Sequence, residues 1–155
     1  MRVTKRTNIA MRVLMFCATN VDRLVTKAEI AAVCQCSENH LAQVINQLGQ
    51  TGFVTTQRGR NGGIRLARAA EAINVGDVFR VVEGAVPLAE CFADVDNSCP
   101  LISACRLRLA LRDAAEAFYA HLDGITLEAL TCDNAPLQAI LGQFECKQSE
   151  ARAPA

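Results

Sequence analysis

The sequence predicts a mainly α fold with a small β-hairpin wing, a winged helix-turn-helix followed by a long dimerisation helix. Three observations predict it. Two short capped helical segments lie back to back over residues 26–52. A turn-rich basic hairpin follows them directly, and a long apolar-periodic segment comes later, LISACRLRLALRDAAEAFYAHL from about Pro100 to Leu122.

From Thr4 to about Ala18, the apolar residues Ile9, Val13, Leu14, Phe16 and Cys17 recur at helical spacing, which predicts a first helix with that face inward. Asn20–Leu24 is a polar break. Thr26 opens a second helix, TKAEIAAVC, in which Glu29 stands three residues on and completes a capping box. Ile30 and Val33 are expected in the core. Ser37 is read as the cap of a third helix, SENHLAQVINQLGQTG, whose Leu41, Val44, Ile45 and Leu48 form one narrow stripe at i, i+3, i+4 and i+7. Its other face carries Glu38, Asn39, Gln43, Asn46, Gln47 and Gln50, with His40 near the start. Asn and Gln amides match the paired donor and acceptor of an adenine edge in the major groove, although a plain solvated helix face has the same composition.

The segments FVTTQ and IRL are β-favouring runs separated by RGRNGG. A hairpin in that position is a wing. Arg58, Arg60 and Asn61 sit at its tip and Arg65 on the returning strand, where arginines can enter a narrow minor groove or bind phosphates. The candidate DNA-binding residues are therefore Ser37, Asn39, His40, Gln43, Gln47, Arg58, Arg60, Asn61 and Arg65. Charge agrees with this: residues 1–70 hold ten Lys/Arg against three acids, whereas the rest of the chain holds six against thirteen. A formal net charge of zero thus conceals a basic half suited to a polyanion. A short helix is predicted from about Asn74 to Val82, and a brief one around Thr126–Leu130. The expected organisation is a DNA-binding domain over 1–84, a cysteine loop over 85–106, a dimerisation helix with its short follower over 100–131, and a C-terminal segment over 132–155 with a frayed end.

No run of eighteen apolar residues occurs, and the N-terminal stretch lacks a continuous signal core, so no membrane span is expected and the protein is read as cytoplasmic. In a reducing compartment eight cysteines point to metal or redox chemistry before disulfides. Cys91, Cys99 and Cys105 stand in a C-x7-C-x5-C pattern within a polar stretch, ECFADVDNSCPLISAC. Their number is odd, which disfavours a disulfide knot. The spacing lacks the close cysteine pairs and the histidine of a closed zinc site. Unrelated thiols remain an alternative, but buried structural cysteines favour apolar periodic segments, as Cys17 does. An iron–sulfur cluster fits best, since loop thiolates can converge on one inorganic core. Three thiolates leave a fourth position for Glu90, Asp94, Asp96, a partner-subunit residue or a small molecule. Cys34 and Cys36 flank the helix turn, where they pack or remain free; Cys132 and Cys146 receive no role. There is no glycine-rich phosphate cradle, productive acid pair or nucleophile–base pair, so an enzyme is not expected. The remaining rivals are an iron–sulfur redox carrier, which leaves the basic wing unexplained, and a metal-free winged helix using its cysteines as thiol switches.

The stretches MRVTKRTNIAMRVLMFC, SENHLAQVINQLGQTGFV, TQRGRNGGIRLAR and ECF…CPLISACRL together resemble the winged-helix iron–sulfur regulators of the NsrR, RirA and IscR type, over roughly residues 1–131. The resemblance implies that Cys91, Cys99 and Cys105 ligate a 4Fe–4S or 2Fe–2S cluster. It also implies a homodimer built on the long helix, bound as a repressor to a palindromic operator in double-stranded DNA. ENHL and VINQLG are most similar to the nitric-oxide-responsive NsrR branch. The wide cysteine spacing and Asn8 are closer to the iron-responsive RirA branch. In some NsrR-type proteins an Asp at the position of Asn8 supplies a fourth ligand from the other subunit; Asn is a weak iron ligand and departs from that pattern. The extra loop histidine of the IscR type is replaced by Arg108. The expected signal is therefore nitric oxide, with iron status as the alternative.

Overall fold

The computed structural model describes residues 3–84, 89–92 and 99–142. Pro87, Asp94, Asp96, Cys146 and the chain from residue 143 lie outside the described residues, as does the side chain of Glu90. The elements are α1 Lys5–Ala18, α2 Lys27–Cys34, α3 Glu38–Gln50, β1 Val54–Gln57, β2 Gly63–Leu66, α4 Val75–Glu83, α5 Arg106–Asp123, α6 Leu127–Thr131 and α7 Ala135–Leu141. This is the expected mainly helical fold with a hairpin wing.

Helix α1 is the centre of the core. It buries eight of its 14 residues, too many for one narrow stripe, and is therefore covered on several sides. Helices α2, α3, α4 and α6 and strand β2 pack around it. The capping box of α2 forms as its sequence predicts: the Thr26 hydroxyl accepts from the Glu29 amide, and Glu29 accepts from the Thr26 amide at 2.7 Å. Ile30 is fully buried, but Val33 is 39% exposed and so is not a core residue. Helix α2 packs on α1 and α3 through Ile30 and Cys34, and Val33 lies beside that face. In α3 all four stripe residues are buried. Ser37 occupies the cap position without making the side-chain cap bond. Its hydroxyl instead meets Nδ1 of His40 at 2.9 Å.

The wing is an antiparallel pair in register Val54–Leu66 to Gln57–Gly63. Val25, after the first break, adds a bridge to Ile64 through two backbone bonds of 2.8 and 2.9 Å. That approach requires Gly63, because a Cβ there would lie 2.8 Å from Leu24 Cβ and 2.9 Å from the Val25 carbonyl. The helix-turn-helix is thereby clamped to the wing it precedes.

Helix α5 starts at Arg106, not at Pro100. Its cap is Cys105, whose sulfur accepts from the Arg108 amide at 3.4 Å, and residues 100–104 form turns before it. The helix has 18 residues, about 27 Å at 1.5 Å per residue. None of them is buried. Of the apolar stripe, Leu111, Ala115, Phe118 and Leu122 are half-covered, and Leu107 and Ala114 are open. The segment after Cys132 includes α7, capped by Asn134, whose last carbonyl at Leu141 accepts from the buried Asn20 at 3.2 Å. No helix among the described residues is long and apolar enough to cross a membrane.

Candidate DNA interface and cysteine site

The exposed outer edge of α3 and the wing tip hold the amide and guanidinium groups named from sequence. Ser37, Asn39, His40 and Gln43 are exposed on the first half of α3. Arg58, Arg60 and Asn61 are exposed at the tip, and Arg65 is exposed on β2 opposite Thr55. An amide-rich helix face beside a cationic hairpin can meet base edges with the helix and phosphates with the hairpin. Gln47 departs from this set. It is half-buried, and Nε2 donates to the Val81 carbonyl at 3.0 Å, so its amide is engaged inside the protein. Helical spacing alone could not reveal this, since position 47 lies at the border of the buried stripe.

Arg68 escaped the sequence reading. Its guanidinium stacks on the Phe53 ring at 4.6 Å, and its Nε donates to the Gly52 carbonyl at 3.2 Å. It fixes the chain just after the recognition helix against the end of the wing.

Behind that surface, α4 connects three elements. Glu83 accepts from the Thr4 amide at the start of α1 at 2.8 Å. Burial pushes the Glu83 carboxyl up, but bonds from the Thr7 hydroxyl and from Thr4 outweigh it and hold the group below the usual glutamate range. Val81 accepts from Gln47 of α3. Arg80 binds both carboxylate oxygens of Asp123 in α5 at 2.6 Å and lies over the Tyr119 ring at 4.8 Å. Phe79 meets Phe118 with ring centroids 6.1 Å apart.

The three loop cysteines are half-buried. Arg108 brings two of their surroundings together. Its backbone amide donates to the Cys105 sulfur, its Nε donates to the Cys91 carbonyl at 3.1 Å, and its guanidinium lies over Phe92 at 5.6 Å. No three His, Cys, Asp or Glu side chains among the described residues stand close enough together to hold a metal ion. The donor set itself suits an iron–sulfur cluster: three partly accessible thiols, two of them on segments that one arginine joins. Asn8 is exposed on α1 and has no contact with these cysteines among those described.

The other cysteines differ. Cys17 is in the core, and burial, with the neighbouring Cys34, pushes its thiol up to about 12, so it stays protonated at neutral pH. Burial likewise raises Cys34, with Cys36 adding to it and Arg12 opposing. Arg12 donates to the Cys34 carbonyl at 2.8 Å, and Gln35 adopts φ 49° between the two cysteines, so this turn is held by backbone geometry.

The model of the family described as "Rrf2: Iron-dependent Transcriptional regulator" matches residues 3–133. The chain belongs to the Rrf2 family. Among curated relatives, the HTH-type transcriptional regulator NsrR of Geobacillus kaustophilus is 44% identical over 142 residues, 91% of this chain and 97% of that one. Protein aau3 of Rhizobium meliloti is 42% identical over 145 residues, 94% of each chain. Among solved structures, IscR of T. potens superimposes with a TM-score of 0.66 at 26% identity, covering 84% of this chain and 85% of that one. Rrf2 proteins are DNA-binding transcription regulators and not enzymes, and so is this chain.

Proposed function

We propose that this Rrf2 protein is a homodimeric repressor whose hold on a palindromic operator depends on an iron–sulfur cluster and is released by nitric oxide. The observation that carries the reading is the Arg108 junction, which joins the Cys91 and Cys105 segments at the start of α5, beyond the end of α4. Cys91, Cys99 and Cys105 would hold the group. Bound there, it would supply iron accessible to nitric oxide and sensitive to iron status. Ser37, Asn39, His40 and Gln43 would face bases, and Arg58, Arg60, Asn61 and Arg65 phosphates and the minor groove. Release of the cysteine segment would relax α4 against α1 and α3, and shift the population away from the DNA-binding arrangement.

The dimer is supported by α5 and the turns before it. Leu101, Leu107 and Leu109 are 66%, 65% and 49% exposed, and apolar side chains this open on a long helix suit a self-complementary partner face. Asn8, exposed on α1, would be the fourth ligand only if the dimer carries it to the partner's cysteines. The NsrR relatives favour nitric oxide as the signal. The family description, with its word "iron-dependent", favours iron status as a second reading. We place the protein in the cytoplasm, with its operator.

Cys99→Ala tests the assignment. It should abolish iron and sulfide retention after anaerobic purification and leave the helical circular dichroism unchanged. Full cluster retention by this variant would remove Cys99 from the ligand set.

A further inference from the structure

The recognition helix is tied to α4 by one side-chain bond with an unusual feature. Gln47 turns its amide inward and donates from Nε2 to the Val81 carbonyl at 3.0 Å, across 34 residues of sequence. Its other amide atom, Oε1, is buried and has no hydrogen-bond partner among the described residues. A buried acceptor left unsatisfied opposes the bond that places it there, so the inward position is poised rather than locked. Val81 belongs to the helix that also binds α1 through Glu83 and α5 through Arg80. That helix ends eight residues before Cys91.

We propose that Gln47 is a positioning residue, not a base contact: its bond to Val81 sets α3 against α4, so that movement of α4 moves the recognition helix. This deepens the cluster-gated reading above and rests on it for the origin of the movement. The amide transmits because it is a direct hydrogen bond between α3 and α4, and because its unsatisfied oxygen lowers the cost of letting go. A base-reading glutamine has both amide atoms free for the adenine edge; Gln47 has one occupied and one enclosed.

The test uses the full-length chain and a DNA fragment selected from random sequence by the cluster-loaded protein. Gln47→Met keeps the side-chain length and removes both the donor and the unsatisfied acceptor. Gln47→Glu removes the donor in a second, polar way and guards against a packing artefact. Both variants are compared with wild type in three measurements: the ratio of loaded to apo affinity, discrimination among single base-pair substitutions, and hydrogen exchange in the second half of α3. The wild-type ratio should lie within the range of about 5–150-fold usual for coupled sites, and both variants should bring it to within about twofold of unity. Base-pair discrimination should be unchanged, and α3 should exchange faster. Relaxed discrimination at one base pair with an intact ratio would overturn the proposal and make Gln47 a reader of sequence. A wild-type ratio of one would refute cluster gating separately. In that case unchanged discrimination with faster α3 exchange would still support the tie, and unchanged exchange would overturn it.

Discussion

Arg108 donates from Nε to the carbonyl of Cys91 at 3.1 Å, joining two residues 17 apart across the cysteine segment. The same residue's amide meets the sulfur of Cys105. Lysine at this position keeps the charge but loses the planar fork and its stacking on Phe92. Arg108→Lys should therefore lower iron retention after reconstitution without changing the thermal midpoint of the DNA-binding half. Equal retention in the two proteins would mean that the junction has no part in holding the loop.

Arg60 is exposed at the wing tip, where a cation gains most from a phosphate or a narrow minor groove. Arg60→Ala should weaken operator binding and reduce the slope of log affinity against log salt by about one. Fluorescence anisotropy at several salt concentrations reads both. An unchanged slope would take the tip off the DNA.

Gly76 lies where α4 meets the end of α5. A Cβ there would run into the Asp123 carboxylate that Arg80 holds. Gly76→Ala should destabilise the protein by about 1–3 kcal/mol through forced displacement of that pair. Urea denaturation measures it, and a stabilised variant would show that α5 gives way freely.

The Leu41 side chain is fully buried beneath the recognition helix. Leu41→Ala should cost about 2–5 kcal/mol. The loss should show in denaturation midpoints of the apo protein as well as the loaded one, since Leu41 packs among core residues that include none of Cys91, Cys99 and Cys105.

Acid should weaken the fold through specific carboxylates. Hydrogen bonds from the Thr26 amide and hydroxyl and from Arg23 hold Glu29 below the usual glutamate value of 4.5, despite some desolvation. Arg80 holds Asp123 below 3.8. A depressed folded pKa means that the unfolded chain takes up the proton first. Their stabilisation is thus complete above about pH 4.5 and is lost as pH falls through the folded values. Glu29→Gln should flatten the acid limb of the stability curve, as followed by denaturation between pH 3 and pH 6, roughly the window set by these groups. An acid limb as steep as that of the wild type would show that the capping box contributes nothing there.

What could be read from the sequence were features written in local spacing. The Thr26–Glu29 box, the four-residue stripe of α3 and the short helix near 74–82 each lie within a few helical turns, and each forms. What could not be read depends on distant partners. Val33 is exposed because the contacts of α2 with α1 and α3 run through Ile30 and Cys34 beside it. Gln47 turns inward because a carbonyl 34 residues away is waiting for it. Helix α5 begins late because a cysteine sulfur caps it, a donor–acceptor pair outside the usual Ser, Thr, Asp and Asn signals. The hydrogen bond of Arg108 to Cys91 spans a turn-rich segment with no periodicity to announce it. Charge asymmetry and wing composition marked residues that the fold leaves exposed, whereas the joints between α4 and its neighbours are tertiary contacts.

On the proposed function, an iron–sulfur group on Cys91, Cys99 and Cys105 governs operator binding. Anaerobic titration of the loaded protein with nitric oxide, and separately with an iron chelator, tests it most directly when visible absorbance and operator binding are followed in the same sample. Charge-transfer absorbance and DNA affinity should fall together, with nitric oxide acting at near-stoichiometric amounts. Equally tight binding by fully reduced apo protein, or isolated protein containing neither iron nor sulfide, would contradict it.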